Sequence, residues 1–173
     1  MITLRQTRRQ FLIAGSGLAL ISALPFRALL ADDTIVISMA SGPNGAEVWF
    51  QPRGLFIKPG QTVKWVNNDE GNVHTATAYH ADYNKPLRIP AKATPWDSGY
   101  LMPGESFSIT FTESGVYDYF CIPHEQAGMT GRIVVGKVDG DARPYEESNT
   151  LLPKNAVANL PTVADIIRHD TIN

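Results

Sequence analysis

From Asp33 onward, apolar and polar positions alternate in short runs, each closed by a cluster of Gly, Pro, Asn or Asp. This is the pattern of half-buried strands separated by turns. Residues 34–39 form a β-branched run ended by Ser41-Gly42-Pro43-Asn44-Gly45, and residues 47–50 form a second run ended by Pro52-Arg53-Gly54. Residues 55–57 lead into the turn Lys58-Pro59-Gly60-Gln61. Residues 62–67 then set Val63 and Trp65 against Lys64 and Val66, a strand with one buried face. The polar stretch 67–72 reads as a turn-rich loop that delivers His74. Residues 81–101 are proline-rich and without period, which predicts a long surface loop. Beyond it Phe107, Ile109 and Phe111 share one face of a strand. Residues 116–121 form the next strand, which ends on Cys121, and residues 132–135 close the sheet.

Seven to eight short strands at this spacing predict an all-β sandwich. After residue 136 the pattern changes: residues 139–155 are polar and loop-like. Residues 161–168 predict a short helix, with Thr162 and Asp165 as a capping pair and Val163, Ile166 and Ile167 on one face. A helix this short is marginal alone and must dock on the sandwich or on a partner.

The N-terminus obeys another logic. Arg8-Arg9-Gln10-Phe11-Leu12 opens a 14-residue apolar run, residues 11–24, followed by Pro25 and a small-residue end at Ala31. A basic start before a short apolar segment predicts a secretory signal over residues 1–31, and the paired arginines point to the twin-arginine route. The run is too short for an ordinary membrane span, so no stable membrane insertion is expected. The expected organisation is a signal peptide over 1–31, one β domain over 32–136 and an extension with a short helix over 137–173. Hydrophobic residues are 43% and charged residues 18%, enough apolar content for a packed core. Removal of the signal, which holds four arginines and no acid, shifts the formal charge from −2 to −6. An acidic exported domain argues against nucleic acid as a partner.

Cys121 is the single cysteine, so no internal disulfide exists. It opens the run Cys121-Ile122-Pro123-His124-Glu125-Gln126-Ala127-Gly128-Met129, a thiolate, an imidazole and a thioether at the spacing C-x2-H-x4-M. His74 lies 47 residues upstream in a loop. One thiolate and two imidazoles with a weak thioether suit both Cu(I) and Cu(II), and are the ligand set of a blue-copper site. Pro123 fixes the backbone before His124, and Gly128 and Gly131 permit a tight return into the next strand.

Several stretches carry a resemblance to a known family. They are Phe50-x-Pro52-x-x-Leu55-x-Ile57-x-Pro59-Gly60-x-Thr62-Val63-x-Trp65-x-Asn67, Gly115-Val116-Tyr117-Asp118-Tyr119-Phe120-Cys121, and Cys121-Ile122-Pro123-His124 through Met129-Thr130-Gly131. Together they resemble the plastocyanin/pseudoazurin branch of the cupredoxins over roughly residues 34–136. The resemblance implies a Greek-key β-sandwich, one type 1 copper, and single-electron transfer between larger redox proteins. It implies His74, Cys121 and His124 as the strong equatorial ligands and Met129 as the axial one, with electrons passing through the exposed edge of His124. It also implies that Tyr117 ties a loop to the sandwich. Where the family often has proline before and asparagine after the first ligand histidine, this chain has Val73 and Thr75, which leaves the hydrogen bonding around the metal open.

The remaining candidates read differently. An extended chain puts His80 roughly 20 Å from His74, so it is expected to be a surface histidine. His169 is expected in solvent near a helix end, Met39 and Met102 in core or loop, and Trp49, Trp65 and Trp96 in packing. Catalytic zinc disfavours methionine, and a cysteine–histidine nucleophile pair would leave His74 and Met129 without a role. Four histidines cannot build a multicopper oxidase. The expected protein is a non-enzymatic, monomeric, periplasmic or otherwise exported electron shuttle. The alternative is a periplasmic carrier that delivers copper.

Overall fold

The computed structural model describes residues 34–139 and 144–173. The signal expected over residues 1–31 lies outside the described residues. Nine strands are present among them: β1 (Thr34–Ser41), β2 (Val48–Gln51), β3 (Gly54–Ile57), β4 (Thr62–Asn67), β5 (Thr77–Ala78), β6 (Ser106–Thr110), β7 (Gly115–Phe120), β8 (Thr130–Val135) and β9 (Thr171–Ile172). Two helices, α1 (Lys154–Asn159) and α2 (Val163–His169), lie in the C-terminal extension. One sheet has the order β2-β1-β4-β6 and the other β5-β7-β8-β3-β9. The sequence pattern predicts seven to eight strands; the two it does not locate are the two-residue strands β5, antiparallel to β7, and β9, antiparallel to β3.

The alternation in β4 places Val63 and Trp65 in the core between the sheets. Trp65 is its hub, with ring centroids 5.3 Å from Tyr119, 6.0 Å from Trp96 and 6.3 Å from Phe111. Burying a large apolar side chain of this kind contributes about 1.5–3 kcal/mol. Phe107 and Ile109 are only partly buried, since β6 is an edge strand, whereas Phe111 is fully inside. Tyr117 ties its loop to the sandwich, its hydroxyl donating to Glu113 O at 2.7 Å. Trp49 is only partly buried, so packing describes it less well than it describes Trp65 and Trp96.

The two strands that flank the ligand loop, β7 and β8, are buried on both faces. Tyr117, Tyr119 and Ile133 face the inter-sheet core, and Val116 and Val134 join Val163 and Ile166 of α2 in a second apolar cluster. The C-terminal extension therefore docks on the sandwich rather than awaiting a partner. Gly54 makes the approach possible, because a Cβ there would come within 2.8 Å of Pro161 Cγ and 2.9 Å of Ile166 Cγ1. Thr162 caps α2 by accepting from Asp165 N at 3.0 Å, as the capping pair predicts. The polar segment read as loop over 139–155 contains a 3-10 helix, Glu146–Leu151, and the start of α1.

The expectation for residues 81–101 needs correction. This is not simply a surface loop: Arg88, Ile89, Trp96 and Leu101 are buried. Beyond the 3-10 helix Ala81–Tyr83 its prolines disfavour regular structure, yet its apolar residues Ile89, Trp96 and Leu101 join the sandwich core. Arg88 is held by an anion. Its Nε and Nη2 reach Asp118 Oδ2 at 2.9 and 2.8 Å, and its Nη1 donates to Tyr145 O, Ser148 Oγ and Asn149 Oδ1. Arg132, paired in register with Asp118, donates to both oxygens of the same carboxylate and to Pro161 O. One buried carboxylate thus joins the long loop, two strands and the extension. No helix among the described residues is long and apolar enough to cross a membrane.

Candidate metal centre

Cys121 stands where β7 ends and a 3-10 helix, Ile122–Ala127, begins, with Pro123 in the first turn. The segment closes on itself. His124 N donates to Cys121 O at 3.1 Å, Met129 N to His124 O at 3.2 Å, and Cys121 N to Met129 O at 3.0 Å. Gly128 turns the chain at a φ of 90°, in the left-handed region that favours glycine. Tight local bonding therefore places the His124 imidazole beside the thiol and returns the Met129 backbone to Cys121.

His74 comes from the loop after β4 and is clipped to Leu101 by reciprocal backbone bonds of 3.2 and 2.8 Å. Cys121 Sγ lies 3.6 Å from His74 Nδ1 and 3.4 Å from His124 Nδ1. One ligating atom from each residue falls within 4.8 Å of the others. A metal about 2.0–2.3 Å from an imidazole nitrogen and a thiolate sulfur holds the two about 3.5–3.8 Å apart at tetrahedral to trigonal angles. The observed separations of 3.6 and 3.4 Å lie within or about 0.1 Å below that range, and the soft sulfur with two imidazoles fits copper. Met129 is fully buried in the same core cluster as Cys121, and His74 and Cys121 are likewise inaccessible. His124 alone of the four reaches solvent, partly exposed.

Two residues support this cluster that sequence reasoning did not assign. Thr75 donates its amide to Cys121 Sγ at 3.3 Å, and its hydroxyl accepts from Ile122 N at 2.9 Å. That hydroxyl must then donate to Thr77 Oγ1 at 2.9 Å, since Thr77 Oγ1 donates to Asp97 Oδ1 at 2.8 Å. Thr75 therefore serves the sulfur and the ligand loop from the position where the family often has asparagine. The second residue, Asp69, accepts from His74 Nε2 at 2.9 Å. An acid five residues before a ligand histidine is too weak a sequence signal to single it out from a polar turn.

Burial pushes the Cys121 thiol up to about 11, against the opposing hydrogen bonds from Thr75 and His124. Burial also lowers the His124 imidazole, helped by neighbouring His74 and opposed by Asp69. Burial alone would raise the Asp69 carboxyl, but hydrogen bonds from Asn72, His74 and the Gly71 amide outweigh it and hold the group well below the usual carboxylate range.

A family model described as copper binding proteins, plastocyanin/azurin family, matches residues 37–136. The chain belongs to this family. This plastocyanin/azurin-family protein is a cupredoxin of the type 1 copper kind, and copper is its cofactor. It is 36% identical to a plastocyanin of Scenedesmus fuscus over 99 residues, 57% of this chain and 98% of that one. It is 36% identical to a chloroplastic plastocyanin of Chlamydomonas reinhardtii over 120 residues, 69% of this chain and 78% of that one. In structure it is similar to a pseudoazurin from Sinorhizobium meliltoi, with a TM-score of 0.55 at 26% identity over 73% of this chain and 89% of that one.

The other candidates fall outside the cluster. His80 caps the 3-10 helix Ala81–Tyr83 by accepting from Asp82 N at 3.2 Å, and is partly exposed rather than fully at the surface. His169 is exposed at the end of α2, Met39 lies in the core and Met102 in solvent.

Proposed function

We propose that this cupredoxin is an exported, monomeric single-electron carrier whose copper is held by His74, Cys121 and His124, with Met129 as the weak axial ligand. The observation that carries the reading is the meeting of one sulfur and two imidazole nitrogens within 4.8 Å, with only His124 open to solvent. Proteins of this family are generally electron carriers. Copper supplies a one-electron couple when bound. The chain's part is to keep the donor set unchanged through the cycle. Backbone bonds brace Cys121, His124 and Met129, and His74 is bonded on both sides of its backbone. Burial of the thiol and of His74 excludes water. The partly exposed His124 offers the short route outward, so redox proteins acting as donor and acceptor would dock around it.

The basic, apolar segment over residues 1–31 supports export to the periplasm or an equivalent compartment by the twin-arginine route. The acidic charge of the remainder supports partners other than nucleic acid. No open coordination position is needed for this work, so no substrate turnover is proposed.

The test is an absorption spectrum after adding Cu(II), beside a Cys121→Ser control. An intense visible band that the control lacks, bleached by reductant and restored by oxidant, is expected. Weak absorption with ready loss of copper to a chelator would refute the shuttle and favour a carrier that delivers metal.

A further inference from the structure

The loop between β4 and His74 is folded around a carboxylate. Asp69 is 5% exposed, and both of its oxygens are engaged. Oδ1 accepts from Gly71 N at 2.9 Å, and Oδ2 accepts from Asn72 Nδ2 at 2.8 Å and from His74 Nε2 at 2.9 Å. Fully buried Asn67 holds the loop in this shape. Its Oδ1 accepts from Asp69 N at 3.0 Å, and its Nδ2 donates to Asn72 O and Leu101 O, both at 2.9 Å. The direction of the Asn72 amide is settled independently, since its Nδ2 also points to Gly45 O at 3.4 Å.

Two of the partners of the Asp69 carboxylate, the Gly71 amide and Asn72 Nδ2, are fixed N–H donors, one on each oxygen, and the Ser41 hydroxyl also hydrogen-bonds to the group. N–H donors on both oxygens favour the ionised carboxylate, which makes the 2.9 Å contact with His74 Nε2 a donation from the imidazole. The imidazole between this anion and the thiol has one nitrogen for each: Nε2 toward Asp69 and Nδ1 toward Cys121 Sγ. With Nε2 carrying the proton, the Nδ1 lone pair is free and aimed at the sulfur side.

Given His74 as a copper ligand, we propose that Asp69 is a positioning residue for the metal: it fixes the His74 tautomer and sets a buried negative charge behind the imidazole that favours the more positive metal state. The proposal deepens the electron-carrier reading, because it assigns to one residue a share of the balance between Cu(II) and Cu(I). Outer partners of ligating histidines typically carry about 10–100-fold in metal affinity. Where the loss falls on Cu(II), each tenfold raises the one-electron reduction potential by about 59 mV.

The test uses the purified protein with Asp69→Asn, which keeps the shape and removes the charge, beside Asn72→Ala, which removes a loop hydrogen bond but leaves the carboxylate and His74. In Asp69→Asn the expected result is a Cu(II) affinity reduced 10–100-fold and a raised potential, with the Asn72→Ala potential near that of the parent. Equal shifts in both variants, or no shift in Asp69→Asn, would overturn the proposal while leaving the ligand assignment standing. A parent protein without the intense visible band would remove the ligand assignment itself. Should Asp69→Asn fail to fold, nitrogen-15 resonances of His74 in the copper-free parent decide the matter. A proton on Nε2 is expected, and a proton on Nδ1 would overturn the proposal.

Discussion

Asp118→Asn isolates the cost of breaking the buried ion group that binds the extension to the sandwich. The Asp118 side chain is inaccessible, Arg88 is 1% exposed and Arg132 8%. The carboxylate accepts Arg132 Nε at 2.6 Å and Nη2 at 2.9 Å, and Arg88 Nε at 2.9 Å. An amide of the same shape removes the charge and turns an NH2 group toward guanidinium donors. Removing one partner of a buried ion pair costs about 3–5 kcal/mol, because the other charge remains without compensation. At about 2.1 cal/mol/K per residue, a folded unit of about 140 residues has an unfolding entropy near 0.3 kcal/mol/K, so the midpoint should fall by about 10–17 °C. Thermal unfolding of the copper-free protein, followed by circular dichroism, measures it. The copper spectrum should stay unchanged, because Asp118 projects from the opposite face of β7 to Tyr117 and Tyr119. A midpoint within about 3 °C of the parent, or a spectrum altered as much as the stability, would refute this account.

Three further outcomes are expected. Asn159→Ala removes the bond from Asn159 Nδ2 to Gly128 O, 2.9 Å, by which α1 holds the ligand loop; a loss of about 1 kcal/mol is expected, with copper passing several-fold faster to a competing chelator, and an unchanged transfer rate would show that α1 does not brace the loop. Trp96→Ala should cost about 3–5 kcal/mol in urea unfolding, whereas Leu87→Ala, at a position 45% exposed, should stay within about 0.5 kcal/mol; equal effects would return residues 81–101 to the status of a surface loop. Finally, the Cys121 thiol at about 11 is protonated at neutral pH, while the metal takes the thiolate. Binding of Zn(II) or Cu(I) at pH 7 should therefore release about one proton, and apparent affinity should rise about tenfold per pH unit until the pH approaches that value. Calorimetry in two buffers of different ionisation enthalpy reads the proton count, and binding without proton release would contradict the buried-thiol account.

Much of the sandwich is legible because strand signals are local. The alternation in residues 62–67, the turn at Lys58-Pro59-Gly60-Gln61 and the Cys121 strand each depend on neighbours a few positions away, and each lies where the pattern places it. The loop from Cys121 to Met129 is legible for the same reason: nine residues closed by their own backbone bonds set Cys121 and His124 together with little outside help. His74 is different: the sequence offers it as a loop histidine 47 residues upstream, and only the fold brings its Nδ1 to 3.6 Å from Cys121 Sγ. Helix α1 escapes notice because Lys-Asn-Ala-Val-Ala-Asn is too short to show a period.

What the sequence determines by itself is the kind of element and the kind of donor: short strands, turns, and a sulfur between imidazoles. What only the tertiary structure decides is which face meets which. Residues 116–120 and 130–135 are buried throughout, and no local pattern says that α2 and the chain end cover their outer side. Arg88 reads as a loop cation until Asp118, 30 residues away, is seen beneath it. Asp69 reads as a turn acid until the fold places it against His74. Burial and pairing are properties of two segments at once, and a linear pattern records only one of them.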